Sequence, residues 1–183
     1  MKKIFLCILI LSIFSCTLSK DYYDNGEVEK KGKISNDKKV GKWKYYHTSG
    51  KYKGGGKYLK GKRKGLWKWV YENGELHQVG YYKDGKQTGE WKFYHPNGNR
   101  QGIGSLSNGN RQGLWSWYHT NGKIYTEREW SNGQLIKIIN CYDGLGNKLD
   151  KGSFSNGDGS MKLYDIDGVL LETLYYENGK YIK

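Results

Sequence analysis

Three histidines, His47, His95 and His119, recur at one place in a sequence pattern, and imidazole serves both as metal ligand and as general base. Tyr71 holds the same place between the first two. A position that takes either His or Tyr behaves as a structural column beside a turn. A shared metal would need the rings to converge, yet successive members stand two strands apart, roughly 9.5 Å. Zn–N distances are about 2.1 Å, so no metal site is expected there. His77 stands alone and reads as a surface residue. Asp143, Asp165 and Asp167 lack the Asp-x-Asp-x-Asp-Gly order of a calcium loop, and Asp167-Gly168 is explained by its turn. Gly54-Gly55-Gly56 lacks the Lys-Ser/Thr of a phosphate loop and its strand–helix context. No nucleophile stands with a base, and no carboxylate pair has a catalytic spacing. The expectation is a non-enzyme without cofactors.

Cysteine carries the clearest chemistry. Lys2 and Lys3 precede an apolar run from Ile4 to Phe14, 11 residues interrupted only by Ser12. A helix of that length spans about half of a ~30 Å hydrocarbon core, which fits the apolar region of a secretory signal and not a membrane span. The following Ile13-Phe14-Ser15-Cys16 resembles a bacterial lipobox, with Phe14 bulkier than the usual residue before the small one. The resemblance implies cleavage before Cys16 and acylation of its thiol, where each buried CH₂ contributes ~0.8 kcal/mol. An ordinary signal cut near Ser19 is the alternative. Cys7 falls in the signal, so Cys141 has no partner for an intramolecular disulfide. It replaces an aromatic in a packed column and is expected as a buried, inert thiol. The expected organisation is a signal peptide over 1–15, a lipidated tether over 16–21 and a repeat array over 22–183. The expected location is the cell envelope, anchored to a membrane on its periplasmic or surface side, with the outer membrane favoured.

The net charge of +13 is unevenly placed. Residues 20–68 carry +11, residues 69–183 carry none, and the other two charges belong to the signal. The basic stretch offers a candidate anionic-partner patch of Lys38, Lys39, Lys51, Lys53, Lys57, Lys60, Lys62, Arg63 and Lys64, interleaved with Tyr52, Tyr58 and Trp67. Such a patch in a cytoplasmic protein would suggest nucleic acid. Next to an export signal it suggests anionic lipid headgroups or envelope polymers instead. Lysines that merely keep an edge strand soluble are the plainer explanation.

The elements that must position these residues are read from a repeat. A turn glycine recurs at Gly26, Gly50, Gly74, Gly98, Gly122, Gly146 and Gly168, spaced by 24 five times and then by 22. A second turn recurs at Asp37, Gly61, Gly85, Gly109, Gly133, Gly157 and Gly179. The gaps leave room for two short strands and no helix. Asn-Gly and Asp-Gly turns between alternating runs are hairpin signals. With 27 glycines, one proline and 15% aromatics, the chain is neither collagen-like nor a disordered tail. It reads as all-β: an elongated antiparallel meander of about seven 24-residue hairpin repeats, a single-layer ribbon. Trp43, Trp67, Trp91, Trp115 and Ile139 form one column, and Tyr45, Trp69, Phe93, Trp117 and Cys141 another two residues on, on the same face. Gly32, Gly56, Gly80 and Gly104 form a third column, expected to leave room for a cross-strand indole over the backbone.

The segments Trp91-Lys-Phe-Tyr-His-Pro-Asn-Gly98, Gly113-Leu-Trp115, Asp84-Gly85-Lys-Gln-Thr-Gly89-Glu-Trp91 and Tyr71-Glu-Asn-Gly74-Glu-Leu resemble the bacterial variant of the MORN repeat. The resemblance covers roughly residues 21–183 and weakens after residue 134, where Lys137 replaces a glycine. It implies the hairpin ribbon and a binding role of open identity. Some members carry a YwqK-type antitoxin label. Three functions are therefore expected. The first is a lipid-anchored interaction platform, with a membrane held through Cys16, a possible protein partner and no nucleic acid. The second is a cell-wall glycan or choline-type binder using its Trp columns. The third is an antitoxin or immunity-type protein.

Overall fold

The computed structural model describes residues 16–182; the expected signal segment 1–15 lies outside them. Eleven strands form one sheet in chain order, each hydrogen-bonded antiparallel to the next. They are β1 (Cys16–Tyr22), β2 (Val28–Ser35), β3 (Lys38–Tyr46), β4 (Tyr52–Leu59), β5 (Lys62–Val70) and β6 (Leu76–Lys83). The run continues with β7 (Lys86–Tyr94), β8 (Arg100–Ser107), β9 (Asn110–Tyr118), β10 (Ile124–Ser131) and β11 (Gln134–Cys141). A second sheet holds β12 (Gly159–Tyr164), β13 (Leu170–Glu177) and β14 (Lys180–Tyr181). The all-β hairpin meander expected from the repeat is the observed fold. Residues 16–21, expected as a tether, lie in β1, where Cys16 stands opposite Ser35.

Two kinds of turn set the register. At Asn36-Asp37, Lys60-Gly61, Asp84-Gly85, Asn108-Gly109, Asn132-Gly133, Asn156-Gly157 and Asn178-Gly179 both residues have positive φ. That is the two-residue turn whose twist matches the flanking strands. The opposite edge carries the longer turns, closed by bonds such as Gly74 N–H to the Tyr71 carbonyl at 2.9 Å. There Asn25, Asn73, Asn97 and Asn121 donate to the carbonyls of Thr48, Pro96, Thr120 and Gly144, one repeat on, at 2.7–2.8 Å. The His/Tyr column does the same: His47, His95 and His119 meet the carbonyls of Val70, Tyr118 and Tyr142, while the Tyr23 and Tyr71 hydroxyls donate to Tyr46 and Tyr94. These rings tie each turn to the next.

The core is a line of indoles on one face. Trp67 and Trp91 are fully buried, and Trp43 and Trp115 are 2% exposed. A methyl group on Gly32, Gly56, Gly80 or Gly104 would fall 2.2–2.5 Å from the indole of Trp43, Trp67, Trp91 or Trp115. The glycine column therefore makes the space the indoles occupy. Each indole N–H donates to a backbone carbonyl, of Lys33, Lys57, Tyr81 and Ser105 respectively, at 3.0–3.3 Å. Tyr58 and Tyr82 wedge edge-on between successive indoles, with centroids 5.2–6.0 Å apart, a geometry that contributes ~1 kcal/mol per pair beyond the area buried.

One expected column member is displaced. Ile138, not Ile139, takes the indole position: it is 2% exposed and stands opposite Arg128. In the regular repeats two residues are extra between Gln112 and Trp115, with Gly113 at φ +69. In β11 the non-glycine Lys137 replaces that glycine. The excess is split into two one-residue bulges, at Ile136 and at Ile139, and the register is regained at Asn140. Beyond β11 the chain packs as an end cap, with Ile138, Phe154 and Met161 buried together and Leu163, Leu174 and Tyr176 against them.

Candidate functional site

The expected basic patch is not one surface. Lys38, Lys60 and Lys62 lie at the two-residue turn edge, and Lys60 itself is a turn residue with φ +49. Lys51 lies at the opposite edge and reaches the Glu72 carbonyl. Lys39 and Arg63 belong to the aromatic face, and Lys53 lines a cavity there. Lys57 and Lys64 stand on the other face.

That other face is where the basic residues converge. Lys42 and Lys44 flank Trp43, and side chains alternate along a strand, so both point away from the indoles. Antiparallel pairing places Lys20 opposite Lys31 and Lys31 opposite Lys44. It also places Lys42 opposite Lys57 and Lys57 opposite Lys64. Lys68 follows across Gly55. Among the described residues, none of these lysines is in an ion pair. Residues directly opposite have Cβ atoms about 5 Å apart, and like charges so placed destabilise the sheet. Leu18, Leu59, Leu66 and Tyr81 are exposed on the same face. Lys20, Lys31, Lys42 and Lys44 were not singled out from the sequence, although the alternation Lys42-Trp43-Lys44 carried the signal.

The aromatic face has a different chemistry. Lys39 Nζ lies 4.3 Å from the Trp43 ring centre, and the Arg63 guanidinium 4.6 Å from that of Trp67 and 5.2 Å from that of Tyr82. Arg63 donates to the Tyr82 hydroxyl at 3.0 Å. The Tyr45 and Tyr58 hydroxyls bond to each other at 2.8 Å. Burial, then the bond to Tyr58, pushes the Tyr45 phenol well above its ordinary value. At Tyr58 burial acts in the same sense, but the bonds from Tyr45 and Arg63 outweigh it and pull the phenol down. Arg111 repeats the arrangement, 5.1 Å from Trp115 and 4.8 Å from Trp130, and burial lowers its pKa. This cation column was not read from the sequence as a column, although Lys39 and Arg63 were named.

The Trp column cannot serve as a glycan or choline platform, because its four indoles have no exposed face. The half-buried rings Tyr45, Trp69, Phe93 and Trp117 are what the face presents. Asp143 is a turn cap: its carboxylate accepts the N–H groups of Leu145, Gly146 and Asn147, and the Asn147 side-chain bond comes first in holding it below the usual carboxylate range. Cys141 is buried, and burial raises its thiol. Cys16 is free and exposed at the end of the edge strand.

Fold and surface together define a hairpin-repeat protein with a lysine face and an aromatic face. Residues 63–84, 87–108 and 111–132 match the MORN repeat variant, three consecutive repeats. These segments coincide with the β5–β6, β7–β8 and β9–β10 hairpins. No curated protein matches the chain.

Proposed function

We propose that this chain is a lipid-anchored, non-enzymatic repeat protein of the cell envelope whose lysine face lies on anionic lipid headgroups. The observation that carries the reading is the pair of rows Lys20–Lys31–Lys44 and Lys42–Lys57–Lys64, in which like charges oppose one another and no carboxylate among the described residues pairs with them. An external anionic surface relieves that repulsion, and each near-surface lysine contributes about 1 kcal/mol. Exposed Leu18, Leu59, Leu66 and Tyr81 suit an interface that is part apolar. Cys16 sits in β1, next to this face, so acylation of its thiol would bring the lysines to the membrane.

The test is co-sedimentation with phosphatidylglycerol-containing and purely zwitterionic vesicles. Neutralising Lys42, Lys57 and Lys64 to Gln removes about 3 kcal/mol and should weaken anionic binding on the order of a hundredfold. Equal binding by the triple variant, or equal binding to both vesicles, overturns the headgroup reading. Binding to an anionic envelope polymer but not to vesicles would transfer the face to that partner. Palmitate labelling that persists in Cys16→Ala overturns the anchor.

A further inference from the structure

The aromatic face holds a cavity of about 670 Å³, on the side of the sheet away from the lysine rows. Tyr45, Trp69 and Tyr82 line it with Arg63, Gln78 and His77. The volume falls in the range of small-molecule sites, which combine ring surfaces with a few placed polar groups. Arg63 is fixed: its guanidinium lies over Trp67 and Tyr82 and bonds to the Tyr82 hydroxyl. No carboxylate pairs with it among the described residues. The nearby rim carboxylates are engaged, Glu29 by Lys30 and Glu72 by His47.

The arrangement recurs two repeats on. Arg111, Phe93, Trp117 and Gln101 stand where Arg63, Tyr45, Trp69 and Lys53 stand, around a second cavity of about 220 Å³. Lys39, Arg63, Gln87 and Arg111 thus form one row along the ribbon, on every second strand. Successive members are about 9.6 Å apart, so Arg63 and Arg111 are separated by about 19 Å. Three cations beside half-buried rings, Lys39, Arg63 and Arg111, with the neutral Gln87 between the last two, fit an extended ligand with spaced carboxylates and flat apolar faces.

From this geometry we infer that the aromatic face binds an acidic oligosaccharide, with the Arg63 cavity as its principal subsite and the Arg111 cavity as a second. The ring faces of Tyr45 and Trp69 take the C–H face of a pyranose. Arg63 takes the carboxylate, and Gln78 and His77 take hydroxyls. An acidic peptide supplies the carboxylates without the flat rings. This site lies on the opposite face from the lysine rows and stands or falls separately from them.

The test is calorimetric titration of the protein with oligogalacturonates of increasing length, followed in parallel by tryptophan fluorescence. A neutral oligoglucoside and an oligoglutamate are the comparison ligands. Arg63→Gln installs the side chain that Gln87 already carries in this row, so the variant should fold. It should weaken oligogalacturonate binding about tenfold or more, the worth of one charge-assisted hydrogen bond. Gln87→Arg fills the gap in the row and should tighten binding only for chains long enough to span about 9.6 Å, the step from Arg63 to the next member. The loss caused by Arg63→Gln should be the same in a background of Lys57→Gln with Lys64→Gln, because the two faces are separate. Three results overturn the inference: oligogalacturonate binding unaffected by Arg63→Gln, equal affinity for the neutral oligoglucoside, or oligoglutamate binding with the same dependence on Arg63.

Discussion

Gly80 in β6 and Gly102 in β8 lie on either side of β7 and face opposite consequences. A Cβ on Gly80 would lie 2.3 Å from the indole of Trp91, which is fully buried and hydrogen-bonded to the Tyr81 carbonyl. The indole cannot retreat without losing that bond, so Gly80→Ala should cost about 3 kcal/mol, at the upper end of overpacking effects. A Cβ on Gly102 would meet Trp117 at 3.4 Å, ordinary contact, and Gly102→Ala should change stability by less than about 1 kcal/mol. Denaturant unfolding followed by tryptophan fluorescence compares the two directly; equal effects would mean the indole line can shift. Much at this scale was legible in one chain, because the Gly and Trp columns recur at constant spacing and a repeat shows its own alternatives. What was not legible was accessibility. The Trp residues read equally well as a platform and as a core, and only the packing of Tyr58 and Tyr82 edge-on between them decides for the core.

At the scale of the strand and its turn, the seven two-residue turns share one backbone shape, and two residues depart from Asn/Asp-Gly: Asp37 in second place and Lys60 in first. Six place Asn or Asp first, residues that accept a left-handed conformation, whereas Lys60 takes φ +49 with no such allowance. Lys60→Asn should stabilise the protein by about 0.5–1 kcal/mol, part of the cost of holding an ordinary side chain there. Thermal unfolding should show a higher midpoint, and an unchanged one would mean that Lys60 is unstrained. The turns were readable because Asn-Gly and Asp-Gly act locally. The bulges were not, because an extra residue is a property of two strands. The fifth repeat shows this: counting 24 residues from Trp115 reaches Ile139, but without a glycine at Lys137 the two-residue bulge divides and Ile138 turns inward. The same limit applied to the candidate site. Runs such as Lys62-Arg63-Lys64 look like one patch in sequence, and alternation in β5 sends Arg63 to the indoles and its neighbours to the lysine face.

Over the whole molecule, the charge of the basic end works against the sheet that carries it. Lys57 has a lysine opposite it on both sides, Lys42 and Lys64, and Lys31 likewise has Lys20 and Lys44. Each such contact opposes folding by a few tenths of a kcal/mol or more. A sequence selected for stability alone would alternate the signs, as Lys92 does with Glu90 in β7, 2.9 Å apart. Binding surfaces commonly hold stability below its optimum, and the optimum is recovered when the partner or a substitute for it is present. The substitute here is salt, which screens charges beyond a Debye length of about 10 Å at 0.1 M and weakens exposed pairs at shorter range. The protein should therefore become more stable as sodium chloride is raised from near zero. The double variant Lys57→Gln with Lys64→Gln should be about 1 kcal/mol more stable than the parent at low salt. The difference between the two should shrink as salt is added, because the Lys42–Lys57–Lys64 repulsion is present only in the parent, while both proteins keep the Lys20–Lys31–Lys44 row. Denaturant titrations of both proteins across a salt series decide the matter. Parallel salt dependences, or a double variant less stable than the parent at low salt, would mean that the lysine rows carry no stored repulsion for an anionic partner to relieve.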